Sequence, residues 1–209
     1  MIDKKAEIIK CARHLFSSRG FKDTNVSDIT KMAGIATGTF YLYYASKDKL
    51  FMEIFLDENQ KLKKRMMETI DLDKDPEKVI QESIFMNMTG MQSNPILREW
   101  YNKDVFNKIE QNYREENGIE HVDFLYTNFL EIVKKWQTDG KMRTDIDSEM
   151  IMAIFTAIII IDTHKEEIGL QYFPALQGYL TDFVLKGLTD CSNRVNPGQE
   201  KEGMNEIGK

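Results

Sequence analysis

The sequence predicts an all-α chain in two parts: a small N-terminal three-helix unit and a larger C-terminal helical unit. Three observations carry this. Apolar residues recur three and four apart along most of the chain. No alternating run bounded by a hairpin turn occurs. Gly (12) and Pro (4) are scarce among 209 residues, which a many-turned β fold would not tolerate. A hydrophobic content of 42% suffices for a real core.

The elements follow from caps and breakers. Asp3 caps a first helix whose inner stripe is Ile8 or Ile9, Ala12, Leu15 and Phe16, and Gly20 stops it before apolar Phe21. Asn25 stands three before Asp28, the spacing of a capping box, and opens a short helix through Ile29 and Ala33 that Gly34 closes. Ile35 plugs the turn, and a second short helix runs from Thr37 to about Tyr43. Ser46 caps a long helix with Leu50, Phe51, Ile54 and Phe55 on one side and Lys61, Lys63, Lys64 and Arg65 further along. Asp71 to Pro76 is the clearest break, and Pro76 at a first helical position starts a new helix behind Asp75. That helix carries Val79, Ile80, Ile84, Phe85 and Met88 and runs to Gly90 or just past it.

Asn94 and Pro95 mark another start and Gly118 a stop. From about Glu120 to Asp139 the stripe Val122, Leu125, Phe129, Ile132, Val133 and Trp136 is regular, and Gly140 ends it. Asp147 or Ser148 caps the most apolar helix, which extends to about His164. After a loop with Gly169 and Pro174, a last helix passes through Leu176, Leu180, Phe183, Val184 and Leu188. The tail from Ser192 is polar and unpatterned, and is expected to be mobile. These readings divide the chain into 1–50, 51–191 and a tail 192–209.

Composition narrows the function classes. Two cysteines, Cys11 and Cys191, make no disulfide framework and no thiolate metal cluster, as a reducing compartment would have it. The longest apolar run, Met150 to Ile161, falls well short of the roughly 20 residues that cross a bilayer. No secretory leader opens the sequence, so a cytoplasmic protein without membrane contact is expected. His14, His121 and His164 are scattered, and no Gly-rich phosphate loop occurs, so neither a metal, a cofactor nor enzyme chemistry is expected. Net charge is uneven: residues 1–50 hold nine Lys/Arg against five acids, while the remainder holds nineteen against twenty-nine. A basic head on an acidic body suits a small polyanion-binding module joined to a larger domain with another task.

The informative segment is Thr24 to Tyr44. Two short helices joined by a tight Gly turn, with Ala33 where their axes approach, describe a helix-turn-helix. The second helix is too short to be stable alone. Thr37, Gly38, Thr39, Tyr41 and Tyr43 present hydroxyls and bare backbone outward, and Phe40 and Tyr44 are left to face inward. Lys47 and Lys49 open the next helix against its dipole, a small cost that a bound phosphate would offset.

Residues 5–55 resemble the DNA-binding domain of the tetracycline-repressor (TetR) family of transcriptional regulators. The resemblance rests on Thr24, Ile29, Ala33-Gly34-Ile35, Gly38-Thr39-Phe40-Tyr41, Tyr43-Tyr44 and the run from Ser46 to Leu50. Departures from the family pattern are Ala36, where Ser or Pro is frequent, Thr30 in place of Ala, and Tyr43 where His is frequent. Ala36 cannot cap a helix, so Thr37 is expected to take that role.

The resemblance implies roles. Thr37, Gly38 and Thr39 would face base edges in the major groove, while Ala36 and Leu42 on the same segment leave the identity of the base contacts open. Thr24, Tyr41, Tyr43 and Lys47 would hold phosphates of double-stranded DNA. A homodimer on a palindromic operator is implied, paired through the last two helices, with Met150, Ile151, Ala153, Ile154, Ile158, Ile161, Phe183, Val184 and Leu188 as its apolar material. The middle helices would house a pocket for a small apolar or amphipathic effector, with Phe85, Met88, Met91, Trp100, Tyr101, Tyr126 and Phe129 as lining and Asp162 orienting the ligand. The competing reading is a helical small-molecule-binding protein or enzyme without specific DNA binding.

Overall fold

The computed structural model describes residues 3–102, 105, 108, 123–173 and 175–191, without the side chains of 123–125, 162 and 163. Gly118, His121, Val122 and the tail 192–209 lie outside the described residues, as do the side chains of Leu125 and Asp162. Among the described residues the chain is helical throughout and no strand forms.

Helix α1 (Lys4–Arg19) starts where the Asp3 carboxylate accepts from the amides of Lys5 (3.0 Å) and Ala6 (3.2 Å). Its stripe Ile8, Ala12, Leu15 and Phe16 is buried. Gly20 ends it at φ +83°, a conformation that only glycine adopts without strain. Helix α2 (Val26–Met32) has the full capping box: Asn25 Oδ1 accepts from the Asp28 amide at 2.9 Å and Asp28 Oδ2 accepts from the Asn25 amide at 3.3 Å. Gly34 turns the chain at φ +65° into the five-residue α3 (Thr37–Tyr41). Here one expectation is corrected. Thr37 does not cap α3; it is the first helical residue, and Ala36 occupies the cap position with no side-chain bond.

Helix α4 (Lys47–Thr69), capped by Ser46 onto the Lys49 amide, runs unbroken for 23 residues, about 35 Å. It passes straight through residue 50. Its first half packs with the N-terminal helices and its second half walls the larger unit. Helix α5 (Pro76–Ser93) begins as expected behind Asp75, but continues past Gly90. That glycine permits close packing: a Cβ there would lie 2.2 Å from a methyl of Leu62 on α4. A 3-10 turn, Leu97–Tyr101, follows, and Asn94 Oδ1 ahead of it accepts from the amides of Ile96 and Leu97.

Helix α6 (Asp123–Thr138) ends at Gly140, φ +71°. Helix α7 (Ser148–Ile160) is capped by Asp147, which accepts from the Met150 amide at 2.8 Å, and continues as a 3-10 turn to His164. The last helix, α8 (Ala175–Thr189), packs on α5 and α7. Buried Gln177 ties it to α7 by donating from Nε2 to the Ile158 carbonyl at 3.0 Å.

One core joins the two parts. Phe16, Phe21 and Phe51 meet edge-on or tilted with centroids 4.8–6.0 Å apart, Phe51 continues to Phe55, and Phe55 stacks on Trp100. Arg13 of α1 is held to α4 by Asp57 (2.7 Å) and Glu58, and the other oxygen of Glu58 accepts from Asn94 Nδ2 at 2.7 Å.

Candidate nucleic-acid interface and ligand cavity

Helix α3 has a dry side and a wet side. Phe40 is wholly buried and Tyr44 nearly so, anchoring the segment against the core. Burial, with the carboxylate of Glu53 beside it, holds the Tyr44 phenol far above its ordinary range. On the other side Ala36, Thr37 and Gly38 are exposed, Thr39 is half-buried, and Tyr41 (55%), Leu42 (82%) and Tyr43 (43%) stand in solvent. A Cβ on Gly38 would meet nothing, so backbone is presented at the helix start. A two-turn segment carrying this much exposed aromatic and aliphatic surface beside hydroxyls is shaped to meet another surface.

Two expected phosphate ligands turn inward instead. Thr24 is buried, and its hydroxyl donates to the Gly20 carbonyl at 2.9 Å, fastening the loop between α1 and α2. Lys47 donates from Nζ to the carbonyls of Phe21 and Thr24, both at 2.7 Å, and lies over the Phe21 ring at 4.1 Å. Burial pulls its ammonium below the ordinary lysine range. Its place at a helix N-terminus, which the sequence suggested a phosphate would offset, is offset from within by two carbonyl dipoles and an aromatic face. Those carbonyls belong to the loop between α1 and α2 and meet Lys47 only once α4 packs against it, a tertiary feature invisible to local spacing.

The larger unit encloses a cavity of about 520 Å³ between α4, α5, α6 and α7, closed on one side by the 3-10 turn. Met91, Trp100, Tyr101, Tyr126 and Phe129 line it. Phe85 and Met88 do not. They sit on the opposite side of α5, with Phe85 70% exposed, in a shallower groove against α8 lined also by Leu170, Phe173 and Gln177. The helical period explains the correction: Ile80, Ile84, Asn87 and Met91 form the stripe that faces the cavity, and 85 and 88 fall outside it. Sequence reading also passed over the α4 wall, Phe55, Asn59, Lys63 and Met66, and the α7 wall, Met152, Phe155 and Ile159.

The cavity and α3's platform are physically joined. Trp100 and Tyr101 line the cavity, and in the same turn Glu99 Oε1 accepts from the Phe21 amide at 2.9 Å while Oε2 accepts from Asn102 Nδ2 at 2.8 Å. Phe21 is the residue whose carbonyl and ring hold Lys47. The chain Trp100–Glu99–Phe21–Lys47 therefore runs from the cavity to the start of α4, next to α3.

Among the exposed apolar residues, Met150 and Ala153 on α7 and the stacked pair Tyr179 and Phe183 on α8 (centroids 6.2 Å apart) are uncovered. Ile151, Ile158 and Leu188 are buried inside the chain and so are core, not docking surface. Among the described residues no group of histidines, cysteines and acids could hold a metal, and no helix is long and apolar enough to cross a membrane.

Comparison with known proteins agrees with this geometry. Residues 8–54 match the model of the bacterial regulatory proteins, tetR family. The HTH-type transcriptional regulator YdgC of Bacillus subtilis is 38% identical over 63 residues, 30% of this chain and 32% of that protein. The match thus spans about a third of that relative's length. The HTH-type transcriptional repressor KstR2 of Mycolicibacterium smegmatis is 24% identical over 196 residues, covering 85% of this chain and 91% of the repressor. In three dimensions the chain superposes on the transcriptional regulator FadR of Bacillus subtilis, solved with stearoyl-CoA, with a TM-score of 0.60 at 20% identity, covering 88% of this chain and 98% of that one. With residues 8–54 matching the family's DNA-binding module, a repressor aligned along nearly its full length and the same all-helical architecture, this chain carries a tetR-family module and resembles the TetR family of bacterial transcriptional regulators along its length.

Proposed function

We propose that the protein is a cytoplasmic, non-enzymatic repressor that binds a palindromic operator as a homodimer and is released when a small apolar or amphipathic molecule fills the cavity. The observation that carries the reading is the two-sided build of α3. Phe40 and Tyr44 are sunk in the core while Thr37, Gly38, Tyr41, Leu42 and Tyr43 stand outward on a rigid base. Thr37, Gly38 and Thr39 face the base edges, with Ala36 and Leu42 at the margins, and Tyr41 and Tyr43 donate to phosphates. One such segment reads too few bases to define a site, so two copies related by a two-fold axis are required. The uncovered residues of α7 and α8 supply that contact.

Release follows from the link through Glu99. A ligand that repositions Trp100 and Tyr101 shifts the turn that holds Phe21, and through it the seat of α4 and the spacing of paired α3 segments. The test is a mobility-shift titration of the full chain against DNA flanking its own coding region. Sequence-selective retardation is expected; equal affinity for an unrelated duplex would overturn the reading. Thr37→Ala is expected to relax preference at one operator position by about 1–3 kcal/mol, whereas Tyr41→Ala weakens binding to all sequences alike.

A further inference from the structure

The cavity is mostly apolar, and along one edge α4 and α5 bring Asn59, Lys63, Ser83 and Asn87 together at successive helical turns, while Thr156 on α7 spends its hydroxyl on the Met152 carbonyl. The Ser83 hydroxyl is spent on its own helix, donating to the Val79 carbonyl at 2.7 Å. That leaves two buried amides, Asn59 and Asn87, and one ammonium. Lys63 is the one charged side chain among the described residues lining the cavity; the other ionisable groups there are the phenols of Tyr101 and Tyr126. Its Nζ donates to Asn87 Oδ1, and an ammonium has three hydrogens to place. Among the described residues no carboxylate offsets its burial, which lowers it to about 8. Lys63 is half-buried and lines the cavity.

An ammonium in such a place costs folding energy unless something of opposite charge completes the site. We propose that the ligand of this cavity is an amphiphile with a single carboxylate and an apolar body, its carboxylate held by Lys63 and by the amides of Asn87 and Asn59. The inference rests on the reading of the cavity as an effector pocket. A single negative charge matches the single cation; a dianionic phosphate would leave a net charge buried and unpaired. The Asn87 oxygen is occupied by Lys63, so its nitrogen is turned to donate to the same anion. The apolar body lies along Met91, Phe129, Val133 and Phe155.

The chain provides its own reporter, because its two tryptophans, Trp100 and Trp136, both line the cavity. Full-length protein without DNA is titrated with 12-bromododecanoate and with 12-bromododecanol, whose bromine quenches tryptophan fluorescence on contact. The acid is expected to bind at least about tenfold more tightly than the alcohol at neutral pH, as a charge-assisted pair in an apolar site requires. Lys63→Met is expected to remove that advantage and keep alcohol binding. In the wild type, raising the pH from about 7 to about 9 is expected to weaken the acid roughly tenfold and leave the alcohol unchanged, because Lys63 then must take up a proton to receive the carboxylate. This profile decides the matter even if the methionine variant does not fold. Equal affinity for acid and alcohol, or a pH-flat affinity for the acid, overturns the carboxylate assignment while leaving a ligand cavity. Quenching by neither compound overturns both. Selective, pH-sensitive binding of the acid that leaves operator affinity unchanged upholds the carboxylate site and overturns the effector reading.

Discussion

The Phe21 amide donates to Glu99 Oε1 at 2.9 Å across 78 positions of sequence, and this bond joins the loop after α1 to the turn that closes the cavity. Gly20 lies against the same oxygen: a Cβ there would stand 2.9 Å from it. The contact therefore depends on glycine at 20 as well as on the carboxylate at 99.

Glu99→Ala is expected to lower stability by about 1–2 kcal/mol, the cost of leaving a half-buried amide without its acceptor. Glu99→Gln, which keeps an oxygen in place, is expected to lose less. Urea unfolding gives the stabilities, and hydrogen exchange at the Phe21 amide gives the local effect. Undiminished protection of that amide in the alanine variant would show that the bond is dispensable.

Lys47→Met separates two roles. If Nζ serves as a strut to the Phe21 and Thr24 carbonyls, the variant loses about 1–2 kcal/mol of stability while the dependence of DNA affinity on salt is unaltered. A phosphate contact would give the reverse, with the salt slope falling by about one and stability held. Thermal unfolding and binding at graded salt concentrations distinguish them.

Asp57 makes stability depend on acid pH. Burial pushes its carboxyl up, but hydrogen bonds from Lys61 and Arg13 more than offset this and hold it below the ordinary 3.8. A carboxyl depressed in the folded state stabilises above its unfolded value, and that contribution disappears as pH falls through the folded value. Wild type is thus expected to be more stable than Asp57→Asn at neutral pH, with the two converging as pH falls through the depressed folded-state value. Parallel acid-unfolding curves measure it, and a constant offset across the whole range would refute it.

Phe183→Glu tests the pairing surface. Phe183 is 65% exposed and stacked on Tyr179, so a charge there costs the isolated chain little, within about 0.5 kcal/mol. Placed at the centre of a symmetric contact it meets its own copy, and the dimer is expected to dissociate. Sedimentation equilibrium reads the mass, and operator binding is expected to fall with it. A variant that stays dimeric would move the interface elsewhere.

Local chemistry settled much of this molecule. Caps at Asp3, Asn25, Ser46 and Asp147 and stops at Gly20, Gly34 and Gly140 act within a turn or two of chain, so helix order and the helix-turn-helix were legible by spacing alone. The outward face of α3 was legible for the same reason, because Phe40 and Tyr44 left no other side to bury. Ala36 shows the boundary of that logic: without a capping side chain, α3 still starts at Thr37, held by packing.

Direction across helices was a different matter. Lys47 and Thr24 read as phosphate ligands because their partners, the carbonyls of Phe21 and Gly20, exist only once α1, its loop and α4 are packed together. Phe85 and Met88 read as pocket residues because both faces of α5 are apolar, and only the placement of α4 and α8 decides which face meets the cavity. Lys63 read only as one of four cations further along α4; folding α5 over α4 made it the one charged side chain among the described residues that line the cavity. Periodicity assigns a residue to a stripe of its own helix, whereas burial depends on what another helix, tens of residues away, lays over that stripe.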